Sequence, residues 1–224
     1  ASIEEANEFW SQHEPHETQY LAIDTTITGL IDLQDAGIDD IKTIGGKAAN
    51  FAELIRTFTS EGISPPVPEY YFAIPFYYYK QHISINGIDQ FIRHEMALPE
   101  FFTNSSYRQT ILQEVRERII QAPLDPTLIS LVESRLNDVD NFSAFRFRSS
   151  TNGEDLENFN GAGLYDSYTG RLNNESQPID LAIKKVWASL WNYSAFEERE
   201  YFRIDHSTCA MGVLVHRSFP DEDA

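Results

Sequence analysis

Three short stretches of the chain carry residue types that could hold a phosphate. The first is Gly45-Gly46-Lys47. Glycines without a Cβ let backbone amides approach an anion, a helix that starts directly behind them adds partial positive charge, and a lysine supplies a point charge. The same triplet also suits an ordinary turn, and it lacks the spacing and the Ser or Thr after the lysine of a Walker-type loop. The second is Arg148-Ser149-Ser150, continuing to Glu154-Asp155. An arginine beside two hydroxyls can bind phosphate through charge-assisted hydrogen bonds; it can equally be a surface group neutralised by Glu154 or Asp155. The third is the turn Phe159-Asn160-Gly161-Ala162-Gly163, which runs into Tyr165, Asp166 and Ser167. Its amides could face inward over a ligand, or it could simply close a hairpin. The six histidines have no metal-ligand spacing, and no Ser, His and Asp set can be assembled from the sequence.

The patterning around these stretches says what must position them. Ala48, Phe51, Leu54, Ile55 and Phe58 recur at helical spacing, so an amphipathic helix begins at Gly46 and ends before Pro65, Pro66 and Pro68. Residues 70–74 suit a strand. Ile111, Leu112, Val115 and Ile119 predict one face of a helix over 107–119, and Asp125 with Pro126 reads as the N-cap and first position of another. From Phe142 the period changes: Phe145 and Phe147 alternate with Arg146 and Arg148, which places both arginines on one face of a strand. Residues 165–171 form its hairpin-like partner. Ile179, Ala182, Ile183, Val186, Trp187, Leu190 and Trp191 make a helical stripe, so both tryptophans are expected in the core rather than against a ligand. A helix over 195–203 and a strand over 211–216 follow. At the N-terminus the pattern suggests a helix to about residue 13 and a short strand over 20–25, within an extension spanning 1–40.

Composition narrows the partners. Against 35 acidic residues stand 17 Lys and Arg, and the formal charge of −18 repels nucleic-acid backbones and anionic lipid surfaces. Any phosphate site must therefore gather its few cations locally, and Lys47 and Arg148 are expected to converge on one anion. No stretch approaches the roughly 20 apolar residues of a membrane span, and the N-terminus has neither the basic nor the apolar region of a signal peptide. Cys209 is alone, which excludes an internal disulfide and makes a reducing, cytoplasmic setting the default.

The order of the motifs is informative beyond each one. Gly45-Gly46-Lys47-Ala48-Ala49-Asn50 with Glu53-Leu54 and Pro66-Val67-Pro68 with Phe72-Ala73-Ile74-Pro75 come first. Phe147-Arg148-Ser149-Ser150 with Glu154-Asp155, residues 159–168, Val186-Trp187-Ala188-Ser189-Leu190-Trp191 and Ala210-Met211-Gly212-Val213-Leu214-Val215 follow. Together they resemble successive blocks of the pyruvate phosphate dikinase and phosphoenolpyruvate synthase family, over residues 39–224. The resemblance implies an α+β, ATP-grasp-like fold with a small mixed or antiparallel sheet flanked by helices, residues 41–224 being its N-terminal part. It implies that Lys47 and Arg148 contact the phosphates of ATP, with Arg148 also the catalytic candidate. Gly163 and Ser167 match a glycine and a threonine of the loop that covers the nucleotide. His216 stands where many members have glutamine in the strand lining the adenine pocket.

By the same resemblance, the parent protein is an ATP-dependent phosphotransferase that phosphorylates a histidine on another domain and then pyruvate, with phosphohistidine and pyruvate-binding domains as partners. The resemblance also implies that the Mg2+ ligands and a further catalytic arginine or glutamine lie beyond residue 224; the acidic run Asp221, Glu222 and Asp223 reads as a solvated terminus. The fragment alone is then expected to be inactive. Two other readings stay open: a regulatory module that binds nucleotide without turnover, and an acidic protein-interaction domain. The final acceptor, whether pyruvate, a glucan or another group, is not specified by these residues.

Overall fold

A computed structural model describes residues 2–5, 8–9, 15–68, 70–137, 139, 144–156, 159–161 and 163–219. The helices are α1 (Ile41–Ile44), α2 (Gly46–Ser60), α3 (Phe76–Ile85), α4 (Ile88–Met96), α5 (Pro99–Thr103), α6 (Ser105–Gln121), α7 (Pro126–Asn137), α8 (Ile179–Ala188) and α9 (Tyr193–Tyr201). The strands are β1 (Phe72–Ile74), β2 (Ala144–Thr151), β3 (Asp155–Leu156), β4 (Phe159–Asn160), β5 (Ser167–Arg171) and β6 (Met211–Arg217). Four of them form one antiparallel sheet in the order β1-β6-β2-β5, and β3 with β4 forms a small separate hairpin. The fold is α+β, with an antiparallel sheet flanked by helices.

Alternation along β2 divides the molecule into two layers. Phe145 and Phe147 point to one face, where they join Val213 and Val215 of β6 and the stripe Ile179, Ala182, Ile183, Val186 and Trp187 of α8. Helix α6 adds Ile111, Leu112, Val115 and Ile119 to the same core. Trp187 and Trp191 are buried there as expected, and the Trp191 indole donates to the Tyr79 hydroxyl at 3.0 Å. The opposite face is covered on its β1–β6 half by α1 and α2, through Ile44, Ala48, Ala49, Ala52, Ala73 and Leu214. Gly212 permits that contact, since a Cβ there would meet the Ile44 carbonyl oxygen at 2.6 Å.

Several boundaries differ from the pattern. Residues 20–25 form no strand: Gln19 makes a single bridge to Ile204, and Leu21 donates its N–H to the Thr208 hydroxyl. The physical reason is the partner, because residues 206–208 form a 3-10 turn that offers no continuous ladder. Ile31 bridges Ala73, and Leu33 is fully buried against α2, so this part of the N-terminal stretch packs on the rest. β1 begins at Phe72 rather than Tyr70, whose φ of 56° is incompatible with a strand. Helix α9 stops at Tyr201, and Arg203 adopts φ 54°. Of the expected N-terminal helix, residues 3–5 and 8–9 are helical and the remainder to residue 13 lies outside the described residues, as do Phe142 and the run Asp221, Glu222 and Asp223.

Candidate nucleotide site

The start of α2 is held by a strand far away in sequence. Gly45 has φ 87° and ψ 165°, a conformation essentially restricted to glycine. A Cβ at this position would sit 2.3 Å from the Ser150 carbonyl oxygen. This close approach lets the Ser150 hydroxyl accept the N–H of Ala48 at 2.9 Å, which satisfies one of the orphan donors of the first helical turn. Gly45 itself offers no side-chain cap, so β2 provides the cap instead.

Lys47 is tied to the same strand end. Its Nζ donates to the Ser149 carbonyl oxygen at 2.7 Å, to the Ser149 hydroxyl at 3.2 Å and to Glu154 Oε1 at 2.8 Å. Glu154 therefore pairs with Lys47 and not with Arg148, which corrects one of the two ion-pair partners considered for the arginine; the Asp155 side chain lies outside what is described. The Arg148 side chain is exposed, and its guanidinium makes no hydrogen bond or ion pair with any described residue.

The register of β5, β2 and β6 arranges the remaining residues in rows. Ser167 lies opposite Arg148, which lies opposite Leu214; Thr169 lies opposite Arg146, which lies opposite His216. Directly opposed residues of antiparallel strands share a face, so Arg146, Arg148, Ser167, Thr169 and His216 occupy the face on which α2 packs. Arg146 donates to the Thr169 hydroxyl at 3.1 Å. His216 is buried, with Nδ1 2.7 Å from the Arg217 carbonyl oxygen. A cleft of about 290 Å³ opens along β5 beside Arg146, Ser167, Thr169 and Gln177. It is only about the lower limit of a small-molecule pocket.

The glycine-rich turn joins the two ends of this arrangement. It leaves from Glu154, whose carbonyl oxygen accepts the Gly161 N–H at 3.2 Å, and it returns to Ser167 opposite Arg148. Gly163 has φ 78°, is exposed and has nothing within 4 Å of a would-be Cβ. Beyond it the loop is pinned: Asn192 donates to the Leu164 carbonyl and to Asp166 at 3.1 Å each, and Arg199 donates to the Tyr165 hydroxyl at 3.1 Å. Burial pushes the Tyr165 phenol up, so it stays protonated as an acceptor for Arg199. Burial likewise pushes the Cys209 thiol up, which argues against a nucleophilic role.

Sequence reading missed Ser150 and Glu154 as organising residues. Only the Ser-Ser and Glu-Asp pairs hinted at them, and nothing local says which helix a distant hydroxyl will cap. Among the described residues no group of three or more His, Cys, Asp and Glu comes together as a metal site. Among the described residues, no helix is long and apolar enough to cross a membrane.

The sequence is also similar to those of known proteins. Phosphoenolpyruvate synthase of Aeropyrum pernix is 27% identical over 205 residues, covering 83% of this chain and 22% of its own length. Phosphoenolpyruvate synthase of Escherichia coli K12 is 27% identical over 185 residues, covering 81% of this chain and 22% of its own length. Rifampicin phosphotransferase of Bacillus cereus is 28% identical over 193 residues, covering 86% of this chain and 21% of its own length. The chain thus spans about a fifth of the curated relatives it matches. Residues 41–222 match the pyruvate phosphate dikinase AMP/ATP-binding domain, so the chain belongs to that family of nucleotide-binding domains.

Proposed function

We propose that the domain binds ATP by its phosphates at the junction of α2 and β2, with Lys47 and Arg148 as the two cations. The observation that carries this reading is the docking of the Lys47 ammonium on Ser149, the neighbour of Arg148, across a sequence separation of 102 residues. Ser167, opposite Arg148, and Gly163, in the loop between, serve as the covering segment, and His216 lies toward the base. Arg148 is the catalytic candidate, since an exposed guanidinium can follow charge that develops on a transferring phosphoryl group.

On this reading the parent protein is an ATP-dependent phosphotransferase of the phosphoenolpyruvate synthase and pyruvate phosphate dikinase kind. ATP phosphorylates a histidine on another domain, which passes the group to pyruvate, and Mg2+ is held by acidic residues outside 1–224. Residues 1–40 act as an extension of the nucleotide domain, and the setting is cytoplasmic. The likeness to a rifampicin phosphotransferase favours one variant, in which the same nucleotide half serves a different small-molecule acceptor. A regulatory module would keep the binding residues without transfer.

Isothermal titration of the 224-residue chain with ATP, repeated on Lys47→Ala and Arg148→Ala, tests the site. Binding that each substitution weakens at least tenfold is the expected result. Unchanged affinity in both variants would remove these residues from the site.

A further inference from the structure

We infer that Glu154 is a further residue of this phosphate site, one that sets its selectivity for polyphosphates over single phosphate groups by occupying Lys47 until a denser charge displaces it. The inference rests on the phosphate site proposed above.

A lysine ammonium has three protons, and all three of Lys47 have acceptors. The two contacts with Ser149 fix where the ammonium lies and bring no net charge. Glu154 brings a full negative charge at 2.8 Å, and its side chain is 9% accessible against 34% for Lys47. A phosphate that approaches Lys47 must displace one of these three acceptors, and whichever it displaces it comes to lie beside the Glu154 carboxylate, which also accepts the Thr151 N–H at 3.4 Å. A single phosphate group that reaches only Lys47 exchanges one anion for another and gains little. A triphosphate carries more charge and, on the site proposed above, engages Arg148 as well, so its gain exceeds the loss of the pair.

The backbone of the same residue anchors the glycine-rich loop. Glu154 lies at the root of the glycine-rich loop, where its carbonyl oxygen accepts the Gly161 N–H, and the far end of that loop is Ser167 opposite Arg148. No covalent step is involved; the exchange is one of ionic partners.

The test titrates the 224-residue chain with inorganic tripolyphosphate and with orthophosphate, in wild type, Glu154→Gln, Lys47→Ala and the double variant. Glu154→Gln should tighten orthophosphate about tenfold and tripolyphosphate less than threefold, and should change neither once Lys47 is alanine. A general effect of removing one negative charge predicts the reverse, with the more highly charged ligand gaining more and the gain independent of Lys47; that result would overturn the proposal. Glu154→Asp, which keeps the charge but withdraws it by one methylene, should shift the ratio the same way by a smaller factor, and guards against a folding defect in the glutamine variant. Tripolyphosphate binding unaffected by Lys47→Ala and Arg148→Ala would overturn the site itself. Binding lost in those two but a ratio unchanged in Glu154→Gln would overturn only the role of Glu154, and no binding by any of the proteins would overturn both.

Discussion

Replacing Gly45 with alanine should damage the junction of α2 and β2 more than any comparable glycine substitution. An L-residue held at φ 87° and ψ 165° carries strain of about 1–3 kcal/mol. The new Cβ would also lie 2.3 Å from the Ser150 carbonyl oxygen and 2.6 Å from its hydroxyl. Retreat to ordinary contact at ~3.5 Å needs roughly 1 Å of movement between helix and strand. The Ala48 N–H to Ser150 hydroxyl bond, now 2.9 Å, would then exceed hydrogen-bonding distance and forfeit a further ~0.5–1.5 kcal/mol. The combined loss is about 3 kcal/mol, which for a urea slope of roughly 2 kcal/mol/M lowers the unfolding midpoint by about 1.5 M. Gly62 is the control: it has φ 70° but nothing within 4 Å of a Cβ, so Gly62→Ala should cost only the ~1 kcal/mol of a left-handed residue. Urea unfolding followed by tryptophan fluorescence measures both. If Gly45→Ala and Gly62→Ala differ by less than about 0.5 kcal/mol, the close approach has no energetic weight and the reasoning fails.

Arg199→Met removes a fully buried guanidinium that donates to the Tyr165 hydroxyl, the Leu190 carbonyl and His206 Nδ1. Three acceptors left without donors should cost about 3 kcal/mol, and a scanning thermal melt should fall by roughly 6–12 °C; an unchanged melt would refute a structural role. Stability should also decline as pH falls below about 6.5, because burial is the main cause lowering both the His82 and the His206 imidazole. The unfolded chain then takes up protons that the folded chain refuses, so the stability present above the unfolded histidine value is lost as pH drops through it. Urea midpoints at pH 7.5, 6.5 and 5.5 measure the slope, and midpoints that stay level or rise toward acid would contradict it.

What the sequence disclosed follows from the range of the interactions involved. The start of α2 at Gly46, the Phe145 and Phe147 alternation in β2 and the Trp187 stripe in α8 are local periodicities, and all three appear in the structure. So does the common face of Arg146 and Arg148, because a period of two is fixed by backbone geometry. The order β1-β6-β2-β5 joins strands distant in the chain, and no local signal encodes it. Residues 20–25 misled because apolar content suits a strand while pairing depends on the partner, here a turn. At the candidate site, the charges of Lys47, Arg148 and Glu154 were legible but their pairing was not. Lys47 reaches Glu154 across 107 positions, whereas the arginine is only six residues away and stays apart. Side-chain direction decided the outcome over sequence proximity.

The loan of a cap from β2 to α2 has a bearing on how the protein folds. A helix start usually closes with a neighbour in sequence, whereas here Ala48 waits for a hydroxyl 102 positions downstream. Bringing such distant segments together requires a loop-closure entropy that only simultaneous burial of the strands and helices between them can offset. The first turn of α2 should therefore remain frayed in any partly folded chain and become ordered only when β2 has joined the sheet. Lys47 gains its fixed position in that same step. A nascent chain that has emerged only as far as α7 would consequently carry the lysine but no ordered place for a phosphate.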